Sequence, residues 1–272
     1  MKNLIIRTIT GILFVAILVG SILWNVYSSG FLFLAIATGC YIELRNAHGQ
    51  SNHKPWLVGG LVTGIILYVS VFLVVTGVIA PKYLFLLLPL FFLIMVAELL
   101  KKKGNSPLNL ALTFLGVIYI FIPFSLTNFV TNVPLEETSF NPGTLVGIFI
   151  LIWINDVFAY LGGLMLGKHK LYESLSPNKT WEGTITGIVF TIVASYPVSL
   201  LFKGFSLTDW AILSVMISVL GIFGDLFESM IKRNNQLKDS GKLLPGHGGL
   251  LDRFDAFLFA MPVATAYIIL TA

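Results

Sequence analysis

Charged residues are scarce in this chain. Asp, Glu, Lys and Arg make up 11% of its 272 residues, whereas 56% are hydrophobic and the mean hydropathy is +0.89. Because soluble domains carry roughly 25% charged residues, this composition excludes an ordinary soluble fold and indicates a polytopic membrane protein. Cysteine is nearly absent, and the single Cys40 excludes an internal disulfide and is expected to be a small packing residue.

Apolar runs account for most of the chain. A helix needs about 20 apolar residues to cross the bilayer core. The N-terminal run has no small-residue cleavage motif, so we interpret it as a membrane helix rather than as a signal peptide. Nine segments qualify, at residues 8–27, 30–46, 57–79, 83–100, 108–130, 143–165, 183–203, 208–231 and 254–271. We predict an all-α, polytopic membrane protein with about nine transmembrane helices.

The chain divides by polarity into two regions. Residues 1–142 hold about five predicted transmembrane helices and few ionisable groups within them. Residues 143–272 hold the remaining helices and two polar loops, at 166–182 and 224–253. We therefore expect the chemistry of the protein to lie in the second region.

Lysine and arginine are distributed unevenly between alternate connections. Lys82 and Lys203 fall on one side, and fifteen fall on the other: Lys2, Arg7, Arg45, Lys54, Lys101, Lys102, Lys103, Lys168, Lys170, Lys179, Lys232, Arg233, Lys238, Lys242 and Arg253. Basic residues concentrate in cytoplasmic loops. This predicts a cytoplasmic N-terminus, cytoplasmic polar loops and an outer C-terminus, in the plasma membrane or the inner membrane of the cell.

The longest polar stretch runs from Gly224 to Asp255. Spacing at i, i+4, i+7 and i+8 puts four of its polar side chains on one helical face: Asp225, Ser229, Lys232 and Arg233. A tight turn with Gly248 and Gly249 follows, in which backbone N–H groups can approach a phosphate. Asp252 and Asp255 then share a face at i, i+3. Carboxylates together with cations suit a Mg²⁺-bound polyphosphate.

A plainer interpretation of this stretch stays open. It would be a solvated connector with surface pairs, Asp225–Lys232 or Glu228–Lys232. Glu228 points away from the Asp225 face by about 60° and is interpreted as structural. His247 is a ligand, a base or a residue that holds the loop. Against the connector interpretation, ionisable groups at membrane helix ends are costly and tend to be functional.

A second polar stretch runs from Asn155 to Gly183. Asp156 lies about ten residues, or roughly 15 Å, from the predicted cytoplasmic end of its helix, where a carboxylate is costly unless paired, hydrated or metal-bound. Glycines 162, 163 and 167 would permit close approach of another helix or a ligand. Further along the chain, Ser176, Lys179 and Thr180 could bind a phosphate near a helix N-terminus. The alternative is simple capping of that helix, with Trp181 as an anchor at the membrane interface.

Two carboxylates in the first region need separate mention. Glu43 and Glu98 both lie near the predicted cytoplasmic ends of their helices. We expect them to pair with Arg45 and with the lysines at 101–103, or to extend to water, and a direct catalytic role is the lesser alternative.

The residues from Ser229 to Asp255 resemble a known signature. The 27-residue pattern Ser-x-x-Lys-Arg-x₄-Lys-Asp-x-Gly-x₃-Pro-x-His-Gly-Gly-x-x-Asp-Arg-x-Asp is similar to that of the phosphatidate cytidylyltransferases, or CDP-diacylglycerol synthases. The stretch from Asp156 to Tyr160 and the SPNKTWEG segment also resemble that family. The resemblance covers roughly the last 120 residues, and the first 140 match only as apolar helices.

The resemblance implies a membrane enzyme of about nine helices, often a homodimer. It would condense CTP with phosphatidic acid at the lipid bilayer, with Mg²⁺ required and a second cation such as K⁺ as a further candidate cofactor; no nucleic-acid partner is expected. The implied metal ligands are Asp225 and Asp252, with Asp255 and Asp156. The implied catalytic residues are Asp225, Asp252, Lys232, Arg233 and Arg253. The expected substrate-binding residues are Ser176, Lys179, Thr180, Ser229, Lys238, Asp239, His247, Gly248 and Gly249.

Two other functions stay open at this point. A related membrane transferase would act with another nucleotide or another lipid phosphate. A transporter or channel would line a pathway with the same polar residues. Against transport, the charged residues gather on one side of the membrane and no pair of broken helices recurs in two halves.

Overall fold

The computed structural model describes residues 2–49, 53–101, 107–132, 140–237, 240–241 and 248–271, without the side chains of residues 2–6. The candidate residues Lys238, Asp239 and His247 lie outside these ranges, and their predicted roles stay predictions.

Helices dominate the described residues. The first region contains α1 (Lys2–Trp24), α2 (Val26–Ala47), α3 (Leu57–Val75), α4 (Leu87–Leu99), α5 (Pro107–Gly116) and α6 (Ile122–Thr131). The second contains α7 (Pro142–Leu166), strands β1 (Lys170–Tyr172) and β2 (Ser176–Thr180), α8 (Trp181–Leu201), α9 (Leu207–Asn234) and α10 (Leu251–Thr271). In these described ranges, nine helical spans are long and apolar enough to cross a membrane, which confirms the predicted fold class.

Two of the spans are composite. A 3₁₀ segment, Pro81–Leu86, precedes α4, and a π-helical turn, Val117–Phe121, joins α5 to α6. Pro123 follows that turn. Since proline has no N–H and its ring clashes with the carbonyl one turn back, the backbone widens before Pro123 instead of breaking.

Aromatic side chains join the two regions in one core. Phe33 of α2 stacks on Phe149 of α7 and Phe257 of α10, with ring centroids 6.1 and 6.4 Å apart. Phe124 of α6 packs edge-on against Phe254 of α10 at 5.2 Å. All five side chains are buried. The N-terminal helices therefore support α7 and α10 directly.

Glycines bring the helices of the second region into backbone contact. A Cβ on Gly162 would overlap Thr186, and one on Gly183 would overlap the backbone of α7 at Ala159 and Gly163. Of the two roles that the sequence left open for the glycines of α7, close approach of another helix is confirmed at Gly162 and Gly163. Gly224 lies in the same way against the backbone of Asp255, so α9 and α10 run unusually close at this level.

The predicted 166–182 loop contains a β-hairpin, which the sequence prediction missed. Ser176 pairs with Tyr172 and Thr180 with Lys170 in an antiparallel ladder. The base of the hairpin is closed by Glu182 at the start of α8, whose carboxylate accepts the N–H groups of Lys168 and His169 at 3.1–3.2 Å. Strands this short contain too few alternating residues to be recognised in a sequence.

Candidate active site

A cavity of about 480 Å³ lies between α7, β2, α8, α9 and α10. Its volume is within the range of about 300–1,000 Å³ that is typical of small-ligand sites. Thr184 of α8 lines it, and its other polar side chains come from the two polar stretches: Asn155, Asp156, Asn178, Lys179, Thr180 and Asp225. Tyr160, Leu164 and Ile222 form apolar parts of its wall. The structure thus joins two stretches that are separate in the sequence.

Asp225 and Lys179 form an ion pair inside this cavity, with side chains 33% and 30% exposed. The Ser229 hydroxyl donates to Asp225 Oδ1 over 3.4 Å, as its position one turn later on α9 allows. Lys179 stands on β2, so the hairpin presents its ammonium group to α9. The pair places a carboxylate and a cation where a phosphate and its metal ion could be held together.

Asp156 and Asp255 lie close enough to Asp225 to interact with it electrostatically. Lys179 and Arg253 are the cationic side chains that act on Asp156. The backbone contact at Gly224 explains why Asp225 and Asp255 approach each other across α9 and α10. Three carboxyl groups face two cations here, so a bound divalent cation would relieve their mutual repulsion.

A separate, more buried cluster lies beside the cavity. Lys232 Nζ donates to Glu228 Oε2 at 2.5 Å and to Asp252 Oδ1 at 2.8 Å. The Glu228 side chain is 1% exposed. The Glu228–Lys232 pair therefore exists, but the surface location that the connector interpretation gave it is wrong, because α10 covers this face of α9. The structural role predicted for Glu228 fits its burial.

Asp252 holds the end of the α9–α10 loop (residues 235–250). Its carboxylate accepts the N–H groups of Gly249 at 2.9 Å and Ser240 at 3.1 Å, in addition to the Lys232 ammonium group. Gly248 has φ +85°, a conformation that favours glycine. Asp252 was expected among the metal ligands together with Asp225; the described structure gives it three protein donors, and its metal role stays a prediction.

Of four further predicted residues, only Thr180 lines the cavity; the others are Ser176, Arg233 and Arg253. Arg233 is exposed and donates through Nε to the Leu175 carbonyl and through Nη1 to the Leu237 carbonyl, both at 3.3 Å, so it ties the hairpin to the end of α9. Thr180 caps α8 by accepting the Gly183 N–H at 3.2 Å, which confirms the predicted cap, whereas the anchoring role of Trp181 stays a prediction. Ser176 begins β2, and Arg253 lies exposed in the first turn of α10.

The donor set is compatible with Mg²⁺. Among the described residues, no three His, Cys, Asp or Glu side chains gather closely enough to enclose a metal ion. Mg²⁺ is commonly held by one or two carboxylates together with substrate phosphates and water, so a full protein cage is unnecessary. Asp225 and Asp156, which both line the cavity, can supply those carboxylates.

Sequence reasoning underestimated Glu43. Its buried carboxylate accepts the N–H of Leu251, the first residue of α10, at 2.9 Å. A carboxylate in an apolar run indicates a buried partner, but the sequence could not identify that partner, because Leu251 lies 208 residues away in the chain. Glu98, by contrast, pairs with Lys101 as expected.

Comparisons with known proteins agree with the resemblance read from the signature. The model of the cytidylyltransferase family matches residues 5–271. A Staphylococcus aureus protein named phosphatidate cytidylyltransferase is 37% identical over 186 residues, which cover 67% of this chain and 68% of that protein. A protein of the same name from Staphylococcus haemolyticus is 36% identical over 67% of this chain and 68% of its own length. One from Staphylococcus epidermidis is 35% identical over 68% of this chain and 69% of its own length. The chain belongs to the cytidylyltransferase family.

Proposed function

We propose that this protein transfers the cytidylyl group of CTP to phosphatidic acid, giving CDP-diacylglycerol and pyrophosphate. Family membership and the names of the relatives support the reaction. The structural observation that carries it is the Asp225–Lys179 pair in a cavity that Asp156 also lines. These groups suit the triphosphate of a nucleotide and its metal ion.

The wall of the cavity suits two substrates of different polarity. Asp225, Lys179 and Asn178 form a polar side, whereas Tyr160 and Leu164 of α7 are 69% and 70% exposed at its edge. In a membrane-spanning helix, such exposed apolar side chains face lipid. A lipid phosphate can then reach the polar side while its acyl chains stay among apolar groups.

The proposed chemistry is an in-line displacement at the α-phosphorus of CTP. A phosphatidate oxygen forms the new P–O bond, the bond to the bridging oxygen breaks, and its electron pair leaves with pyrophosphate. Phosphatidate is already an anion, so no strong general base is needed. Lys179 and Arg253 would reduce the repulsion between the two anionic substrates and orient their phosphates.

We further propose that Asp225 and Asp156 hold Mg²⁺, with Asp255 and Asp252 supporting the site. Bound Mg²⁺ supplies charge neutralisation at the phosphate oxygens. A second cation such as K⁺, a homodimer, and a cytoplasmic location of the site belong to the same proposal. The uneven distribution of lysine and arginine supports the cytoplasmic location.

Pyrophosphate release from detergent-solubilised protein tests the function. CTP, phosphatidic acid and Mg²⁺ are omitted in turn, and Asp225→Asn is compared with Asp209→Asn. Asp209 is a carboxylate on the same helix, at its opposite end, where it bonds Ser206 and Tyr267. We expect release only with all three components, a loss of at least about 100-fold in Asp225→Asn, and retention of activity in Asp209→Asn.

Other outcomes would point elsewhere. Release with another nucleotide or another lipid phosphate would indicate a related transferase, and ion or solute flux in liposomes without nucleotide would indicate transport. Near-normal turnover by folded Asp225→Asn would remove Asp225 from the metal site.

A further inference from the structure

Glu43 joins the first region of the chain to the loop that precedes α10. It lies on α2, it is 7% exposed, and its Oε2 accepts the Leu251 N–H at 2.9 Å. This N–H belongs to the first turn of α10, where backbone donors have no partner within the helix and a negative charge is favoured. A carboxylate of α2 therefore holds the beginning of the helix that carries Asp252.

The α9–α10 loop meets the same carboxyl group at two of its described residues, Gly241 and Gly249. A Cβ on Gly241 would overlap Glu43, and all three of the nearest atoms it would meet belong to the Glu43 side chain. A Cβ on Gly249 would come within 2.5 Å of Glu43 Oε2 and of Ser240 Oγ. The backbone at 241 and 249 therefore rests on Glu43, and a side chain at either position would force the Glu43 carboxyl group to move.

Asp252 holds the same two backbone segments by hydrogen bonds to the N–H groups of Ser240 and Gly249. Two described segments of the loop, at 240–241 and 248–249, are therefore held between two carboxylates, one from α2 and one from α10. Since Asp252 also bonds Lys232, a shift of the loop would be transmitted to the side chains beside the cavity.

We propose that Glu43 is a positioning residue: it holds the α9–α10 loop, and with it Asp252, in the geometry that the active site needs. The kinetic part of this proposal rests on the function proposed above, whereas the placement of the loop is independent of any substrate. Glu43 holds the backbone N–H of Leu251 and lies against Gly241 and Gly249, and none of these three residues lines the cavity.

Thiol labelling tests the placement without a substrate. Ser240 is 5% exposed and Cys40, the only native cysteine, is fully buried, so Ser240→Cys reports on the loop and the parent protein gives the background. We expect Glu43→Ala to raise the labelling rate of Ser240→Cys by roughly tenfold or more, since a buried hydrogen bond to a charged group is lost. Glu98→Ala is the matched control, because it removes another buried membrane carboxylate that pairs with Lys101 instead. Equal labelling in the two variants would overturn the proposal.

Kinetics then separate positioning from general stability. We expect Glu43→Ala to raise the KM for CTP roughly tenfold while its thermal midpoint stays near that of Glu98→Ala. Glu43→Gln should regain part of the loss, because its amide oxygen can still accept the Leu251 N–H. Kinetic constants of Glu43→Ala that match those of Glu98→Ala would contradict the proposal. If the parent protein releases no pyrophosphate with CTP and phosphatidic acid, the proposed function fails, and the labelling result still decides the role of Glu43.

A double-mutant cycle tests the contact itself. Gly241→Ala alone should impair the loop, because its new methyl group meets the Glu43 carboxyl group. In the Gly241→Ala background, Glu43→Ala should cost less activity than it does in the parent, since it also removes the clash. Strictly additive losses would show that residues 43 and 241 do not touch.

Discussion

Lys179 and Lys232 illustrate how differently two predicted phosphate-binding lysines can be placed. The Lys179 side chain is 30% exposed in the cavity and faces one carboxylate, Asp225. Lys232 is 14% exposed and lies between Glu228 and Asp252, which are 1% and 11% exposed. Lys179 can exchange its partner for a substrate phosphate, whereas Lys232 is needed to neutralise buried charge.

Substitution of the two lysines should therefore affect different properties. We expect Lys232→Met to destabilise the fold by about 3–5 kcal/mol, because it leaves carboxylates buried without their cation. Lys179→Met, the matched control, should lower activity while its thermal midpoint stays close to that of the parent protein, since its pair is more exposed to solvent. Thermal unfolding in detergent and pyrophosphate release measure the two effects.

A second substitution checks the cause. Glu228→Leu combined with Lys232→Met should recover much of the lost stability, because a buried ion pair can be replaced by apolar side chains of similar volume. If Lys232→Met unfolds at the same temperature as Lys179→Met, the buried cluster does not stabilise the protein.

Residue types were predictable at this scale, but partners were not. The sequence places Asp225, Ser229, Lys232 and Arg233 on one helical face, and i, i+4 spacing accounts for the Ser229–Asp225 contact. It contains no information on which neighbouring element each side chain meets. Arg233 meets the turn of the hairpin, Asp225 meets strand β2 of the same hairpin, and Lys232 meets α10, because both the hairpin and α10 lie against the end of α9.

At the scale of elements, the close approach of α9 and α10 determines the acidic part of the site. Gly224 lies against the carbonyl and Cα atoms of residues 255 and 256, which are backbone atoms and cannot move aside like a flexible side chain. Asp225 follows Gly224 directly, so the same contact brings its carboxylate towards Asp255.

Gly224→Ala should consequently lower both stability and activity. The added methyl group separates the helices, and overpacking of this kind costs about 1–3 kcal/mol. Gly20→Ala is the control: Gly20 also lies within a helix, but nothing stands within 4 Å of the position of its Cβ, so alanine there should be neutral or stabilise by up to about 1 kcal/mol. Thermal unfolding compares the two, and equal midpoints would contradict the close approach.

Element type was easy to predict for the helices and impossible for the hairpin. A helix must satisfy its backbone within the bilayer, so apolar runs of about 20 residues identify it with few alternatives. Strands β1 and β2 contain three and five residues, and their ladder is stabilised from outside, by Glu182 at the hairpin base and Arg233 at its far end. Such tertiary support leaves no periodic pattern in the sequence.

At the scale of the whole molecule, the first region supports the second. Its helices seemed from the sequence to be only apolar spans, yet α2 contributes Phe33 to the shared aromatic core and Glu43 to the start of α10. The division at residue 142 describes where chemistry-bearing residues lie in the sequence, whereas the packing is continuous across it.

The orientation of the molecule follows from charge and can be measured with two engineered thiols. Lys170 in β1 and Lys203 after α8 are both exposed, and they lie at opposite ends of α8. Fourteen other basic residues share the predicted side of Lys170, and only Lys82 shares that of Lys203. Because lysine and arginine are retained on the cytoplasmic side during insertion, the hairpin and the cavity should face the cytoplasm.

With a membrane-impermeant maleimide on intact cells, we expect Lys203→Cys to be labelled at once and Lys170→Cys only after permeabilisation. Cys40 is fully buried and should contribute no signal in either case. The reverse pattern would place the cavity on the outer side, away from cellular CTP, and would thereby contradict both the charge argument and the proposed use of a cytoplasmic nucleotide.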